Sequence, residues 1–434
     1  AAEERSPYRQ FVNDLFTALQ RQCSAVLISA EVVQRQFGVD PNQMWLAEGQ
    51  NAGILQWFAR LEKNSRAILL MGDGQDTLWN QRVLKHADLV LLAASATEKP
   101  GLSPFELLRL GKAQMGGNRQ LVLLHPQTAA RGRNSRSFVE NRHIETHHHV
   151  RPGSADTDRL VRRILGNSIG LVLGGGGARG IAHLGFITAL EEAGIPIDLI
   201  GGTSAGSIMA SAYALHGARD SREIVRALMV DQDPLGDYVI PLISLSRGRR
   251  YSYAIHKGYG THNIEDLFIP FYAVATNLTH SREEIFDQGP IWKAVRASTS
   301  LPGIVPPFYD RGQFFVDGGL LNNVPVDVMQ AKGAGCIIGV DVSGTRAYND
   351  SSYGQFVGQD CFEESPPLWE ILKNRLKSGK KRIPIPALPG VLLRSTIVGS
   401  ANKVEQARRQ ATIYARLPVD RFSLLDWQAY EELF

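Results

Sequence analysis

Two apolar patterns alternate along the first part of the chain. Helix-compatible segments such as NAGILQWFARLEKN from Asn51 separate several short apolar runs, which we predict to be buried strands: SAVLISA (24–30), AILLMGD (67–73), ADLVLLAA (87–94) and RQLVLLHP (119–126). Strands that alternate with helices are typical of parallel sheets. We therefore predict a smaller α/β domain over residues 1–150.

The alternation returns after Asn167 and continues to about Val342. We predict strands at SIGLVL, IDLIGGTS, FYAVATNL, QFFVDGG and GCIIGVDV, and helices over residues 178–193 and 205–216. These elements predict a second α/β domain with a mainly parallel sheet over residues 167–345. Residues 346–434 begin with a Gly/Ser/Pro-containing loop, and two helix-like segments, ANKVEQARRQATIYARL and SLLDWQAYEELF, are expected to complete this domain.

The stretch QTAARGRNSRSFVENRHIETHHHVRPGSADT joins the two domains. It is rich in Arg, Ser, Asn and Gly, which predicts an exposed connection ending in a linker over residues 151–166. A metal site could be suggested by its histidines, which are His143, His147, His148 and His149. We expect none, because adjacent residues of an extended segment point to opposite faces and no carboxylate or cysteine set completes a geometry.

Composition narrows the class of protein. The 434 residues are 44% hydrophobic and carry a formal charge of +4, so the chain is globular and its net charge does not imply a nucleic-acid partner. Three cysteines are too few for a disulfide framework or a zinc site. The apolar runs are too short to span a membrane, and the start has no signal-peptide pattern. Two basic clusters, RGRR at 247–250 and KSGKKR at 377–382, could face an anionic surface or be solvated loops.

The glycine-rich stretch GLVLGGGGARGIAHLG from Gly170 raises a choice between two kinds of site. Its GGGARG fits the G-x-G-x-x-G pattern of a dinucleotide site, which needs an acidic residue at the end of the next strand. That strand ends in Thr203 and Ser204 instead. In the N-terminal domain, MGDGQDT lacks the lysine of a P-loop, so we expect no nucleotide hydrolysis and a regulatory or structural role there.

The next strand leads into a G-x-S-x-G turn. Gly202, Thr203, Ser204, Ala205 and Gly206 lie between a predicted strand and a predicted helix, where small residues allow the sharp turn that exposes a nucleophilic serine. The alternative is a serine that only caps the helix.

The glycine loop would complement such a serine. Acyl transfer needs backbone N–H groups for the oxyanion, and these could come from Gly175, Gly176 and Gly177. Arg179 could anchor charge or loop shape, or lie on the surface of the following helix.

A base for Ser204 is harder to find from the pattern. None of five histidines follows a predicted strand with an acidic partner at a telling spacing: His183, His216, His256, His262 and His280. We expect His183 to be a core or interface residue. Asp317 ends the predicted strand QFFV and precedes two glycines, so its carboxylate would emerge at the sheet edge where Ser204 emerges. It could also be an ordinary turn aspartate.

GGGGARG, GTSAG and DGG, in this order, resemble the motifs of the patatin-like phospholipases, which are lipid acyl hydrolases with a Ser-Asp dyad. ASTSLPGIVPPF (297–308) resembles the segment before their aspartate motif. The resemblance spans residues 168–342 and implies a three-layer α/β/α catalytic domain, with Ser204 as nucleophile, Asp317 as base, and an oxyanion loop of Gly175–Gly177 with Arg179 and Gly180. Many members have DGA where this chain has DGG. We expect burial to raise the pKa of Asp317.

The upstream α/β segment, HHHVR (147–151) and GNSIGLVLGGGGARG resemble the neuropathy target esterase subgroup, which are lysophospholipases at the cytoplasmic membrane surface. This resemblance implies hydrolysis of lysophospholipids or phospholipids by a peripheral enzyme that needs no cofactor or metal. Members carry a membrane anchor and further domains upstream. We expect this sequence to be a catalytic fragment of such a protein. Transacylation and non-catalytic lipid binding remain alternatives.

Overall fold

The structure is a computed structural model that describes residues 7–42, 48–72, 74–110, 118–240, 242–344, 369 and 398–434. The strands are β1 (Ala25–Ile28), β2 (Ala67–Leu70), β3 (Leu89–Ser95), β4 (Asn118–Leu124), β5 (Thr146–Val150), β6 (Ile169–Leu173), β7 (Leu199–Thr203), β8 (Phe271–Asn277), β9 (Arg282–Phe286), β10 (Phe308–Asp310), β11 (Gln313–Asp317), β12 (Cys336–Asp341) and β13 (Ile413–Arg416).

The α-helices are α1 (Pro7–Gln22), α2 (Ala30–Phe37), α3 (Glu48–Asn64), α4 (Leu78–His86), α5 (Ser135–Val139), α6 (Ala155–Ile164), α7 (Ala182–Glu192), α8 (Ala205–Arg226), α9 (Arg249–Tyr259), α10 (Ile291–Ser298), α11 (Val326–Ala331), α12 (Ala401–Gln410) and α13 (Tyr430–Leu433). Short 3₁₀ turns lie at Gly177–Ile181, Ile264–Asp266, Gly318–Leu320 and Trp427–Ala429.

One eight-stranded sheet forms the centre of the larger domain. Its order is β10-β11-β8-β7-β6-β12-β13, and β9 pairs with β8. Strands β13, β12, β6, β7 and β8 run parallel, whereas β9, β10 and β11 pair in antiparallel fashion. Every residue of β7 and β8 is buried, which is why these strands have no polar face in the sequence. The predicted mainly parallel sheet is confirmed.

Helices cover both faces of this sheet. Alternate residues of β6 enter two different hydrophobic clusters: Leu171 packs with residues of α7–α10, whereas Val172 packs with residues of α11 and α12. Since neighbouring residues of a strand point to opposite faces, helices lie on the two sides of the sheet. The predicted three-layer α/β/α architecture is confirmed.

The smaller domain contains two parallel sheets, β1–β2 and β3–β4–β5. Its core joins α1, α6, β4 and β5 through buried side chains that include Leu15, Leu160 and Val150. The exposed connection predicted here is wrong in two places, because β5 and α6 are regular elements with buried faces. Both elements contain many polar residues, so they lack the apolar pattern by which strands and helices are predicted. The buried face of α6, for example, has only two large apolar residues, Leu160 and Val161.

The histidine run lies at the contact between the domains. His147 and His149 approach the backbone carbonyl of Glu265 with their Nε2 atoms, at 2.9 and 2.8 Å. Nε2 of His125 lies 2.8 Å from Nδ1 of His149. Burial lowers the pKa of His149 well below its ordinary value, so the ring is neutral near pH 7. Within the described ranges, no group of three His, Cys, Asp or Glu side chains could hold a metal ion.

The end of the chain differs from its predicted pattern. ANKVEQARRQATIYARL was expected to be one helix, but α12 stops at Gln410 and β13 extends the main sheet by pairing with β12. This is tertiary pairing, which overrides a local helical pattern. KSGKKR lies outside the described residues. No helix in the described part of the chain is both long and apolar enough to cross a membrane.

Candidate active site

Ser204 occupies the turn between β7 and α8. Its backbone has φ 54° and ψ −127°, a conformation that non-glycine residues rarely adopt and that costs about 1–3 kcal/mol. Gly202 and Gly206 pack their backbones against the Leu173 carbonyl on β6, where any Cβ atom would collide with that oxygen. The glycines on both sides therefore allow the tight turn that was predicted from G-x-S-x-G.

Two further side chains hold this turn in place. The backbone N–H of Ser204 donates to Oγ of Ser298 at 2.9 Å, and the Ser298 hydroxyl donates to the carbonyl of Val274 on β8 at 2.6 Å. Thr203 donates its hydroxyl to the carbonyl of Asn322 at 2.8 Å. Sequence reasoning gave Ser298 no role, although it lies within ASTSLPGIVPPF. The resemblance of that segment to the family was the only indication in the sequence, and it did not distinguish Ser298 from Ser300.

Strand pairing brings Asp317 near the turn that carries Ser204. Thr203 pairs with Val274, and Asp317 pairs with the next residue, Ala275. Because β9 pairs with residues 273–277 along one edge of β8, β7 and β11 must share the other edge. The two strands run toward each other there, and their carboxyl ends meet. The turn after β7 and the end of β11 are therefore neighbours, as expected. However, β11 runs antiparallel to β8, so its carboxyl end is not aligned with the carboxyl ends of the parallel strands.

The carboxyl group of Asp317 is buried, with 1% of the residue exposed. Its Oδ1 accepts a hydrogen bond from the Gly319 N–H at 2.8 Å, and no described residue donates one to Oδ2. Burial raises the pKa of Asp317 to about 6, although the nearby Ser204 hydroxyl and the Gly319 amide lower it in part. The hydroxyl is therefore close enough to stabilise the charge, without a formed hydrogen bond between the two groups.

The glycine loop lies directly over Ser204. A Cβ atom on Gly175 would sit 3.0 Å from Cβ of Ser204. The Gly175 N–H donates to the carbonyl of Asn323 at 3.1 Å, and the Ala178 N–H donates to the carbonyl of Leu424 at 2.9 Å. Between them, the amides of Gly176 and Gly177 make no hydrogen bond to any part of the chain that the structure describes. Gly177 has φ +57°, which favours glycine.

The residues after the loop fix its shape. Nε of Arg179 donates to the carbonyl of Phe422 at 2.8 Å, so this side chain reaches the C-terminal segment. Gly180 packs against α8, where a Cβ atom would sit 2.6 Å from Cβ of Ala205. His183 is buried, as expected of a core residue, and its Nε2 lies 2.8 Å from the Gly174 carbonyl. Burial lowers the pKa of His183 to about 4.

An apolar pocket opens beside Ser204. Its walls are Gly177, Ser204, Ala205, Ile208, Met229, Leu235, Tyr251, Thr299, Leu301, Val305, Leu424, Leu425 and Trp427. Burial raises the pKa of Tyr251 to about 12, so its hydroxyl is neutral. The wall formed by residues 424–427 was not predicted from the sequence, because it comes from a chain segment more than 200 residues away from the serine turn. The mostly apolar lining, with Ser204 on one wall, suits contact with an apolar part of a substrate.

Comparisons with known proteins identify both domains. The patatin-like phospholipase model matches residues 171–329, and the model described as the Neuropathy Target Esterase family P-loop like domain matches residues 2–167. The protein named Lysophospholipase NTE1 from Mycosarcoma maydis is 32% identical over 87% of this chain and 23% of its own length. The human protein named Patatin-like phospholipase domain-containing protein 6 is 29% identical over 99% of this chain and 33% of its own length.

The chain thus spans about a quarter to a third of the length of these relatives. A crystal structure of VipD from Legionella pneumophila aligns with 55% of this chain and 67% of that chain, at 16% identity and a TM-score of 0.28, which is too low to support an argument. The two domain models match consecutive parts of the chain, and the relatives align with nearly all of it. Residues 171–329 therefore belong to the patatin-like phospholipase family, and residues 2–167 belong to the P-loop like domain of the Neuropathy Target Esterase family.

Proposed function

We propose that the chain hydrolyses acyl ester bonds of lysophospholipids or phospholipids, with Ser204 as the nucleophile and Asp317 as its general base. The observation that carries this proposal is the meeting of a strained serine turn with a buried carboxylate whose Oδ2 has no described donor. A carboxylate left open toward a hydroxyl is suited to accept its proton.

The reaction takes two steps. The Ser204 proton passes to Oδ2 of Asp317 while Oγ attacks the ester carbonyl carbon, and the proton then goes to the departing alcohol oxygen. This leaves an acyl-serine. Water attacks the acyl carbon and gives a proton to Asp317, which returns it to Ser204 as the fatty acid leaves. An aspartate with a pKa of about 6 remains largely ionised at pH 7 and is a stronger base than an ordinary carboxylate.

We assign the oxyanion contacts to the amides of Gly176 and Gly177, because Gly177 lines the pocket beside Ser204, Gly176 precedes it in the same loop, and neither amide has a described acceptor. Donors of this kind each contribute about 2.7–4 kcal/mol to the chemical step. The Gly175 amide is already engaged, so this glycine provides room above Ser204. The contact of Arg179 with Phe422 supports its role in loop shape, and Gly180 supports close packing on α8.

The pocket and the relatives support the substrate class that we propose. The walls beside Ser204 are mostly aliphatic or aromatic, as an acyl chain requires. One relative is named a lysophospholipase and another a patatin-like phospholipase domain-containing protein. We therefore propose a phospholipid-derived ester as substrate and a peripheral position at the cytoplasmic face of a membrane.

Active-site labelling and product analysis test this proposal. The wild-type chain should react with a fluorophosphonate probe and release fatty acid from a panel of lysophospholipids and phospholipids, whereas Ser204→Ala should do neither. Ser207→Ala is the matched control, since Ser207 lies one turn into the same helix and donates to the Ser204 carbonyl at 2.6 Å. Labelling that persists in Ser204→Ala would refute the assignment of the nucleophile. Acyl transfer to added lysolipid in place of fatty-acid release would identify a transacylase.

A further inference from the structure

A contiguous apolar surface lies on the loop before α9. Five large apolar residues in six positions are exposed, by 76%, 42%, 82%, 90% and 75%: Tyr238, Val239, Ile240, Leu242 and Ile243. We call these five residues the apolar loop. Elsewhere among the described residues, large exposed apolar side chains occur singly or as pairs along the chain. A group of this size is typical of a surface that another apolar phase covers.

The base of the apolar loop is held by hydrogen bonds. Tyr238 forms an antiparallel bridge with Ser246, and the Val239 N–H donates to the Leu245 carbonyl at 3.0 Å. The Leu245 N–H donates in turn to the carbonyl of Gly303 at 2.9 Å. Leu245 packs against the core and so differs from the exposed residues Leu242 and Ile243 that precede it. The fixed base therefore presents the apolar tip outward.

Positively charged residues follow this loop along the chain. Arg247, Arg249, Arg250 and Lys257 are exposed, and none forms an ion pair with a described residue. The nearby Asp237 carboxylate accepts from the N–H groups of Arg249 and Arg250 at 2.9 and 3.1 Å, so it caps α9. Exposed apolar residues followed by exposed cations that have no described ion-pair partner match the chemistry of an anionic lipid surface.

The apolar loop also adjoins the pocket. Leu235 lies three residues before it, and Tyr251 lies on α9 just after it; both residues line the pocket beside Ser204. The loop's base bonds to Gly303 and Ile304, which lie between the pocket residues Leu301 and Val305. A lipid layer that receives the loop would thus reach the rim of the pocket.

We propose that the apolar loop inserts into an anionic phospholipid surface, and that Arg247, Arg249 and Arg250 bind its headgroups. This extends the proposed function by naming the element that contacts the membrane. The binding test does not depend on catalysis, because it uses the Ser204→Ala chain. A failure of esterase activity and a failure of this proposal are therefore separate results.

Co-sedimentation with vesicles provides the test, using phosphatidylcholine alone or mixed with phosphatidylserine. Ile240→Ser/Leu242→Ser/Ile243→Ser should reduce partitioning onto the mixed vesicles about tenfold or more, since three exposed apolar side chains lose their transfer into lipid. Arg247→Gln/Arg249→Gln/Arg250→Gln should reduce it only when phosphatidylserine is present, and added salt should remove that difference.

Leu107→Ser/Leu108→Ser is the matched control. Its two leucines are 61% and 62% exposed on the N-terminal domain, far along the chain from the apolar loop, and this variant should bind vesicles like its parent. Thermal midpoints of all variants should stay close to the parent value, because the replaced side chains are exposed. Equal partitioning of the apolar-loop variant and its parent would overturn the proposal. So would a parent that does not bind mixed vesicles, which would point to a protein partner for this surface.

Discussion

The buried carboxylate of Asp317 should reduce the stability of the folded chain at neutral pH. Its pKa rises from 3.8 to about 6 on folding because burial disfavours the charge, and this corresponds to about 3 kcal/mol. Between these two pH values the folded chain binds more protons at this group than the unfolded chain does. Stability therefore falls as the pH rises through the interval, and the full cost is present above pH 6.

Asp317→Asn should remove that cost. Asparagine can keep the hydrogen bond that the Gly319 N–H donates to Oδ1, and it has no charge to bury. We expect the variant to be inactive and, at pH 8, more stable than wild type by about 3 kcal/mol. At pH 4 most of this advantage should be gone, because the wild-type carboxyl group is then protonated in the folded chain.

Urea unfolding at pH 4, 5, 6 and 8, followed by tryptophan fluorescence, measures the difference. Asp156→Asn is the matched control, since Asp156 is also buried. Burial alone would raise its pKa, but hydrogen bonds and charge from Arg151 and Arg159 lower it to about 2. This variant should be less stable than wild type over the whole range. If the advantage of Asp317→Asn were independent of pH, Asp317 would not have a raised pKa and its role as base would lose support.

Three further outcomes follow from the site. The kcat/KM for a soluble ester should fall about tenfold per pH unit below pH 6, because protonated Asp317 cannot accept the serine proton; a flat profile would contradict this. Ser298→Ala should lower kcat by about tenfold or more with little change in KM, because the Ser204 N–H loses its acceptor. Steady-state kinetics measure both constants, and an unchanged kcat would show that the Ser204 turn keeps its shape without Ser298. Gly177→Ala should lower both stability and activity, because its Cβ atom would meet the Leu424 carbonyl at φ +57°; Gly38→Ala, at φ +65° in open space, should lose about 1 kcal/mol or more of stability and keep its activity.

Much of the local structure could be predicted because its signals are local. The apolar runs of β6, β7 and β8 are buried on both faces, and the glycines around Ser204 are adjacent in sequence to the turn they allow. Asp317 could be singled out because it stands between a predicted strand and two glycines. The edge of β8 that β11 occupies was not predictable, because it depends on β9 pairing along the opposite edge.

Contacts between distant segments could not be predicted. Ser298 lies 94 residues from the Ser204 amide that it binds. The buried strand β5 looked like an exposed connection because its histidines are polar, and their partner is the carbonyl of Glu265, 116 residues from His149. The Leu424 carbonyl, which accepts a hydrogen bond from the Ala178 amide, belongs to a segment that had no predicted role at the site.

The meeting of β7 and β11 along one edge of β8 explains how a two-residue site can be kept in register. Thr203 and Asp317 pair with consecutive residues of the same strand, so the separation of Ser204 and Asp317 is set by backbone hydrogen bonds. For the proposed base, the Gly319 N–H fixes Oδ1 of Asp317, and no described residue donates to Oδ2. The same backbone arrangement keeps the carboxylate buried, and its raised pKa follows from that burial. The position of Asp317 beside the Ser204 turn and the raised pKa that suits it to the proposed role of base thus have one structural cause.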